Sequence, residues 1–412
     1  MNFQAPKGVS EYVPPRAALF EFVRDRLCAP AKSAGYKYME LPVFEDTALF
    51  ARGVGESTDI VTKEMYTFED RGGRSITLRP EGTAGVMRAV IEHGLDRGRL
   101  PVKALYAGAY FRAERPQKGR YRQFYQVGIE AIGLDDPLID AEVIWLADQA
   151  FKNIGLQNYR LEITSLGDAE SRAAHRKELL KFYSTLELDE ATAERAKLNP
   201  LRLFDDKRPE MIAAMAKAPL LIDFLTPSST EHFAKVRKYL DSLGVKYQLN
   251  PRLVRGFDYY TGTTFEFIHE GLGAQSAIGG GGRYDKLMSE LGGQDLSGIG
   301  WGLGVDRTIL AAEVEGVIPS DLGNPDLFII PLGGTQSNAL KIATEIRNSG
   351  KVVELAFGER ALKGAMKAAD KSGAKFVIVL GENEVASGSI ELKTMATGEV
   401  KTVRISELIN CL

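Results

Sequence analysis

Residues 105–132 leave the chain little choice of shape. Leu105, Ala107 and Ala109 lead into Phe111, and Phe124, Val127, Ile129 and Ile132 lead away, with the turn formers Pro116, Lys118 and Gly119 between them. This is the pattern of a long β-hairpin, and a fold that contains it must cover its apolar residues and leave its tip exposed. Arg112, Arg115, Lys118, Arg120 and Arg122 lie on that tip and its edges, and the returning strand adds Gln126 and Glu130. Guanidinium forks present planar, permanently charged donors that match phosphate oxygens, so the hairpin suits a polyphosphate. It suits equally an exposed ribbon whose charges protect an edge, and the hairpin alone does not decide between them.

A chain of 412 residues is too long for one ordinary core and implies two or three domains. A net charge of −3 gives no whole-chain attraction for nucleic acid, so any RNA contact has to come from a local basic surface. The opening residues contain no apolar signal-peptide core and no span is long enough to cross a bilayer, so the expectation is a cytoplasmic protein with no membrane partner. Cys28 and Cys411 lie near opposite ends, and His93, His175, His232 and His269 are scattered, which argues against a disulfide framework or a protein-built metal site.

Along the chain, Pro14 and Pro15 open a helix with Leu19, Phe22, Val23 and Leu27 on one face, which Pro30 is expected to kink or end. Tyr36–Leu41 reads as a strand. Two short strands, Met65–Phe68 and Ser75–Leu78, flank a turn at Asp70–Gly73, and the second runs through Glu81 and Thr83 into a helix marked by Met87, Val90 and Ile91. Glu81 and Thr83 therefore stand where side chains face a cavity, or simply form a helix start with Thr83 as N-cap and Glu81 in water. After the hairpin come a helix, Leu138–Ile154, and a strand, Tyr159–Ser165. Asp168–Gly244 is mostly helical and charge-rich; its lysines and arginines read as an RNA-facing surface or, by default, a solvated one.

Strands resume at Lys246–Leu249 and over Leu253–Phe267, with a turn at Thr261–Gly262. Arg255 beside Gly256 on a buried strand needs an anion, because an unpaired buried charge costs several kcal/mol; either Asp258 or a ligand phosphate supplies it. The four glycines Gly279–Gly282 fit neither a helix nor a good strand interior and point to close approach by a ligand or a neighbouring strand, although they do not form a dinucleotide fingerprint. Gly298–Leu310 reads as a glycine-rich strand entering a helix. Past the proline-broken segment Val317–Pro325 the period becomes β, α, β, with the apolar run Phe376–Leu380 as a buried central strand and a closing hairpin over 388–405.

Taken together, these stretches carry a resemblance. The hairpin wording ERPQKGRYRQF resembles the second motif of class II aminoacyl-tRNA synthetases and, with Gln126 and Glu130, that of histidyl-tRNA synthetases. The LRPEGT segment ending at Thr83 resembles the one that binds the substrate amino group in that family, the LVRGFDYYTG segment around Arg255 and the SAIGGGGRYDKL segment resemble its two histidine-specific stretches, and GIGWGLGVDRTIL resembles the third class II motif, with Asp306 where the family more often has Glu. The resemblance implies an α+β catalytic domain with an antiparallel six-stranded sheet and a helical insertion, plus a C-terminal α/β anticodon-binding domain. The boundaries expected are 1–166 and 246–316 for the catalytic domain, 167–245 for the insertion, 317–325 for a linker and 326–412 for the last domain.

The same resemblance implies ATP-dependent activation of L-histidine and its transfer to tRNA(His) by a homodimer. Arg112 and Arg255 are then the catalytic clamp on the α-phosphate; Glu114, Arg120, Phe124 and Arg307 join Arg112 on ATP. Glu81, Thr83, Gln126, Glu130, Arg255, Tyr259 and Tyr260 bind histidine, with Glu130 and Tyr260 at the imidazole nitrogens. Arg115 and Gln117 meet the tRNA acceptor end, and Mg2+ rides on the phosphates. Nothing in the residues argues for a Ser, Cys or His nucleophile. The main alternative is a histidine-sensing regulatory paralogue of ATP phosphoribosyltransferase, which shares the catalytic fold but typically lacks an intact RGxDYYTG stretch and the C-terminal domain. A tRNA-sensing module of a kinase and a class II enzyme for another amino acid fit less well, the first for want of a kinase segment, the second because of the histidine-specific stretches.

Overall fold

The computed structural model describes residues 3–412 apart from positions 56, 57 and 59 in the first part of the chain and 359 near the end. The contacts divide the chain after Ile318 into two compact units.

The first unit opens with α1 (Arg16–Ser33), which buries Leu19, Val23 and Leu27 and carries Pro30 inside its last turn without ending there. The strand expected at 36–41 shrinks to β1 (Lys37–Tyr38). Next come β2 (Phe44–Asp46), α2 (Thr47–Val54), β3 (Tyr66–Glu69) and β4 (Ser75–Leu78), whose strands make a small antiparallel sheet with β4 in the middle. Asp70 closes the β3–β4 turn by accepting from the Gly72 and Arg74 amides at 2.8 and 2.9 Å. The helix α3 (Thr83–Glu92) follows, and then the long hairpin, β5 (Val102–Phe111) and β6 (Gln123–Ile132), paired over its whole length without a register shift.

Behind the hairpin, α4 (Pro137–Ile154) starts from the Asp136 cap and leads to β7 (Tyr159–Ser165). Four helices then replace strands: α5 (Ala169–Tyr183), α6 (Glu190–Leu198), α7 (Pro209–Met215) and α8 (Pro227–Ser242). They have a core of their own around Leu179, Tyr183, Leu203 and Met211. The chain returns through β8 (Gln248–Leu249), β9 (Thr261–His269), β10 (Ala277–Arg283), the short α9 (Leu287–Glu290), β11 (Gly298–Gly304) and α10 (Val305–Glu315).

The main sheet has eight strands in the order β1-β5-β6-β11-β10-β9-β7-β8, not the six antiparallel strands expected. The inner six are antiparallel throughout, and the two-residue strands β1 and β8 add a parallel pairing at each edge, which makes the sheet mixed. Two further expectations fail here. Residues 253–260 are not a strand: β9 begins only at Thr261, where the turn was expected. The glycine run, conversely, is strand interior, with Gly279–Gly282 at the heart of β10. Backbone crowding explains it: a Cβ on Gly281 would stand 1.9 Å from the Gly300 carbonyl oxygen, and one on Gly280 2.7 Å from the Phe265 carbonyl oxygen.

Side chains alternate across this sheet with period two. One face presents Leu105, Val127, Ile129, Phe265 and Trp301 to the core, where the Trp301 indole donates to the Val143 carbonyl of α4 at 2.9 Å. Burying side chains of this size contributes about 1.5–3 kcal/mol each. At the sheet's end, fully buried Arg283 donates through Nε to both Asp140 oxygens at 3.0 and 3.1 Å, tying β10 to α4. The other face carries two rows in register, Tyr106–Gly128–Gly302–Gly280–Glu266 and Ala104–Glu130–Gly300–Gly282–Thr264. Glycines in the middle of both rows lower the sheet into a trough, and polar residues stand at its sides.

The second unit alternates as its sequence period implies: β12 (Leu327–Pro331), α11 (Gln336–Asn348), β13 (Val353–Leu355), α12 (Leu362–Ser372) and β14 (Phe376–Leu380), then α13 (Glu382–Ser387), β15 (Ser389–Thr394) and β16 (Val400–Arg404). Its strand order is β13-β12-β14-β15-β16, parallel for the first three and antiparallel for the last two pairings.

Candidate active site

Over the trough lies a cavity of about 350 Å³, within the usual size range of small-molecule sites. Its wall comes chiefly from the start of α3, the hairpin, residues 254–260 and the β11–α10 junction, and is completed by Ile60, Asp205 of the helical insertion, Glu266 of β9, residues 277–280 of β10 and Tyr284. Glu81, Thr83, Arg112, Glu114, Arg120, Phe124, Gln126, Arg255, Tyr259, Tyr260 and Arg307 all line it, so residues separated by more than two hundred positions share one space. Arg115 and Gln117 do not; they are exposed in the hairpin loop, where Gln117 pairs with Arg120 through two backbone bonds of 2.9 and 3.0 Å.

Three guanidinium groups from the hairpin and α10 give the cavity a positive wall. Arg112 donates through Nε to the Pro80 carbonyl at 3.0 Å, and its charge lies 5.1 Å from the Phe124 ring centre. Among the described residues no carboxylate lies within ion-pair distance of it, and burial pulls its pKa down. Arg307 is held by neutral acceptors alone, the Gly119 and Ala277 carbonyls at 2.6 and 2.8 Å and the Gln275 side chain at 2.9 Å. Burial, then the neighbouring Arg112 and Arg120 charges, lower its pKa as well. Arg120 alone is compensated, by Glu114 and by Glu64 at 3.6 Å. A site in which cations weaken one another stabilises an added anion.

Arg255 enters from the 254–260 segment. Its partner is Glu266, not Asp258: the terminal nitrogen Nη1 pairs with the Glu266 carboxylate, while Asp258 is held by Asn199 at 2.7 Å and Arg202 at 3.0 Å. Burial acts to lower the Arg255 pKa, but Glu266 and Tyr260 outweigh it and the shift is upward. Its Nε is buried and has no hydrogen-bond partner among the described residues. A buried donor left unmade costs about 1–3 kcal/mol, which an incoming anion recovers. The sequence held the signal for Glu266: Thr263, Phe265 and Phe267 form the apolar face of β9, so residue 266 must point the other way, into the trough.

Glu81 and Thr83 both face the cavity, as the first of the two readings had it, and the helix-start reading fails. Thr83 is not the N-cap, and Glu81 is not in water. Gly82 occupies the cap position, and the buried Glu81 carboxylate accepts from the Thr83 and Ala84 amides at 2.6 and 2.9 Å, capping the helix from within the cavity wall. Burial raises its pKa against those bonds.

Glu130 stands on the trough face of the sheet but is buried there, covered by three hydroxyl side chains. Thr83 Oγ1 and Tyr106 Oη each donate to it at 2.9 Å, and Tyr284 Oη donates a short bond to its other oxygen. All three hydroxyl residues line the cavity, so Glu130 joins α3, β5 and the residue after β10 into one polar floor. Burial pushes its pKa up to about 8 despite those bonds. Tyr106 and Tyr284 are cavity residues that the sequence reading missed. Tyr106 falls in the hairpin's alternation on the same face as Gln126, which is the pattern that marks it; Tyr284 lies just past β10, where no periodicity marks it, and its one signal is its place inside the SAIGGGGRYDKL segment.

Comparison with known proteins places the whole chain. The chain matches the family model described as histidyl-tRNA synthetase over residues 8–308 and the one described as anticodon binding domain over residues 326–412. It is 60% identical to a histidine–tRNA ligase of Nocardia farcinica over 412 residues, covering 100% of this chain and 98% of that one. With a histidine–tRNA ligase of Mycobacterium tuberculosis the identity is 59% over 409 residues, covering 99% and 97%. The crystal structure of apo S. aureus histidyl-tRNA synthetase superposes with a TM-score of 0.81 at 35% identity, covering 100% of this chain and 99% of that one.

Proposed function

The chain belongs to the histidyl-tRNA synthetase family, and we propose that the cavity described above is where it works as an ATP-dependent histidine–tRNA ligase. Such an enzyme joins L-histidine and ATP into histidyl-adenylate with release of pyrophosphate, then passes the histidyl group to the 3'-terminal adenosine of tRNA(His). The histidine-sensing regulatory alternative is not favoured, because the identity to ligases runs through the whole chain, including the anticodon-binding match.

One observation carries the assignment of residues: Arg112, Arg120, Arg255 and Arg307 face one cavity, and among the described residues three of them are left unsatisfied, Arg112 and Arg307 with a charge that no carboxylate pairs and Arg255 with an unused donor. In the first step a histidine carboxylate oxygen attacks the α-phosphorus and the bond to the β-phosphate bridging oxygen breaks. Two anions must be held together while charge gathers on the phosphoryl oxygens, which is work for fixed cations and not for a covalent nucleophile. Arg112 and Arg255 are the proposed clamp on the α-phosphate, the free Arg255 Nε being a natural donor to it. Arg120, steadied by Glu114, is assigned to the outer phosphates, and Phe124 and Arg307 to the two faces of the adenine.

Histidine is assigned to the acidic end. Its ammonium group suits Glu81, Thr83 and Gln126, and its imidazole suits Tyr259 and Tyr260 above the floor that Glu130 organises. A ring with one donor and one acceptor needs a carboxyl group and a two-way hydroxyl around it, which this end provides. Mg2+ is proposed to arrive on ATP and to neutralise phosphate charge there. The carboxylates Glu114 and Glu266 on the cavity wall already hold arginines, and a hard cation that keeps most of its waters needs no protein cage.

Beyond the cavity, exposed Arg115 and Gln117 are assigned to the tRNA acceptor end and the second unit to the anticodon. A homodimer is proposed through β1 and the small sheet, where Tyr38, Phe44 and Phe68 are exposed apolar side chains. No helix among the described residues is long and apolar enough to cross a membrane; a cytoplasmic site of action is proposed on the family alone.

ATP–pyrophosphate exchange tests the assignment. Arg255→Ala is expected to abolish exchange while histidine binding stays measurable by calorimetry; exchange at the unmodified rate in that variant would overturn the role.

A further inference from the structure

Residues 254–260 are a partition. Val254, Arg255, Phe257 and Tyr260 line the active cavity and also a second cavity of about 430 Å³ behind it, closed by α5 and residues 198–201 of the helical insertion. No ladder of strand hydrogen bonds fixes this wall, since β9 starts only after it. The insertion holds it instead. Arg202 donates to the Gly256 carbonyl at 2.8 Å and to the Asp258 carboxylate at 3.0 Å, the Asn199 amide donates to the same Asp258 oxygen at 2.7 Å, and Arg172 donates to the Tyr260 carbonyl at 3.3 Å. On the far side the Asp258 amide donates to the Val54 carbonyl at 3.3 Å, and its carboxylate sits where a Cβ on Gly55 would come within 2.8 Å.

We infer that Asn199, Arg202 and Arg172 are positioning residues for adenylate formation: from the insertion they hold the partition against the active cavity and so fix Arg255 and Tyr260. The inference rests on the assignment of Arg255 made above. Behind the wall is empty volume into which it can relax, and a displacement of about 1 Å at a reacting group lowers a rate by as much as 100-fold. The adenine end, Phe124 on β6 and Arg307 on α10, makes none of these contacts. Losing the clamp therefore moves one end of the site and spares the other.

The test is ATP–pyrophosphate exchange by the full-length chain carrying Arg202→Ala, Asn199→Ala, Asn199→Asp or Arg202→Lys, with urea unfolding of each. Arg202→Ala is expected to lower kcat about 10- to 100-fold and raise the histidine KM, with the ATP KM within about twofold and the urea midpoint little changed. Arg202→Lys, which keeps the charge and a donor, recovers most of the activity. Asn199→Asp, equal in shape but set against Asp258, is at least as impaired as Asn199→Ala. Unchanged kcat and histidine KM in both alanine variants would overturn the inference. So would a loss that moves kcat, both KM values and the urea midpoint together and is not rescued by lysine. If Arg255→Ala is inactive while the clamp variants are normal, only the clamp fails; if Arg255→Ala is fully active, the assignment beneath it fails.

Discussion

At the scale of single residues, Glu130 is the most instructive. It is a carboxyl group enclosed by three hydroxyl donors and pushed by burial up to about 8, whereas in the unfolded chain it titrates in the ordinary carboxylate range. Between those two values the folded state holds a proton that the unfolded state has lost. Stability contributed by the neutral group is thus complete at low pH and declines as pH rises toward about 8. Glu130→Gln has no such titration. Its thermal midpoint relative to the parent is expected to rise from pH 5 to pH 8, and a difference independent of pH would show that Glu130 is ionised throughout. Gln also replaces one of the two acceptor oxygens, the Oε1 shared by Thr83 and Tyr106 or the Oε2 bound by Tyr284, with an NH2 donor, so the same variant is expected to raise the histidine KM several-fold in exchange assays, with little change for ATP.

At the scale of elements, the strands of the trough separate structural glycines from functional ones. A Cβ on Gly281 meets backbone on the neighbouring strand at 1.9 Å, and backbone in mid-sheet cannot step aside. Gly281→Ala is expected to cost more than the roughly 1–3 kcal/mol usual for overpacking, seen as a urea midpoint shifted far down; an unshifted midpoint would contradict the packing described. Gly302 differs, because a Cβ there meets only the Gln126 side chain, at an ordinary 3.5 Å, and projects into the cavity. Gly302→Ala is expected to fold normally and lose exchange activity, and full activity would show that substrates do not lie on that part of the floor.

Much of this was legible beforehand where local chemistry and tertiary role agree. The hairpin alternates, its turn residues are conventional, and it forms over the residues its pattern marks. The four-glycine run misled because strand propensity describes side-chain packing, and here the neighbouring backbones come so close that absence of a side chain is what the sheet requires. The 253–260 segment misled in the opposite sense. Its aromatic, alternating wording is strand-like, but its hydrogen bonds go to the helical insertion and to Val54. No periodicity reports a partner more than fifty residues away. The same blindness hid Glu266 as the mate of Arg255, since Asp258 was nearer in sequence.

At the scale of the whole molecule, a tRNA ligase of net charge −3 must meet a polyanionic RNA through local surfaces, whereas ATP is assigned to a cavity of fixed cations. The two should respond differently to salt, because phosphates bound at an open surface release counterions and those in a partly buried site are screened less. Raising salt from about 50 to about 200 mM is expected to reduce kcat/KM for tRNA at least tenfold in aminoacylation, with pyrophosphate exchange changing only a few-fold. Parallel declines would place the tRNA and ATP contacts in similar surroundings.

Residues distant in sequence meet in one cavity, and the proposed function requires its cationic end to activate a carboxylate on ATP and its acidic end to admit an imidazole. Pyrophosphate exchange with each of the twenty standard amino acids in turn, without tRNA, addresses it most directly. Histidine should support exchange, and every other amino acid should fall short by about four orders of magnitude in kcat/KM, since each leaves buried polar groups of the floor unpaired. Exchange supported equally by a second amino acid, or by none, would contradict it.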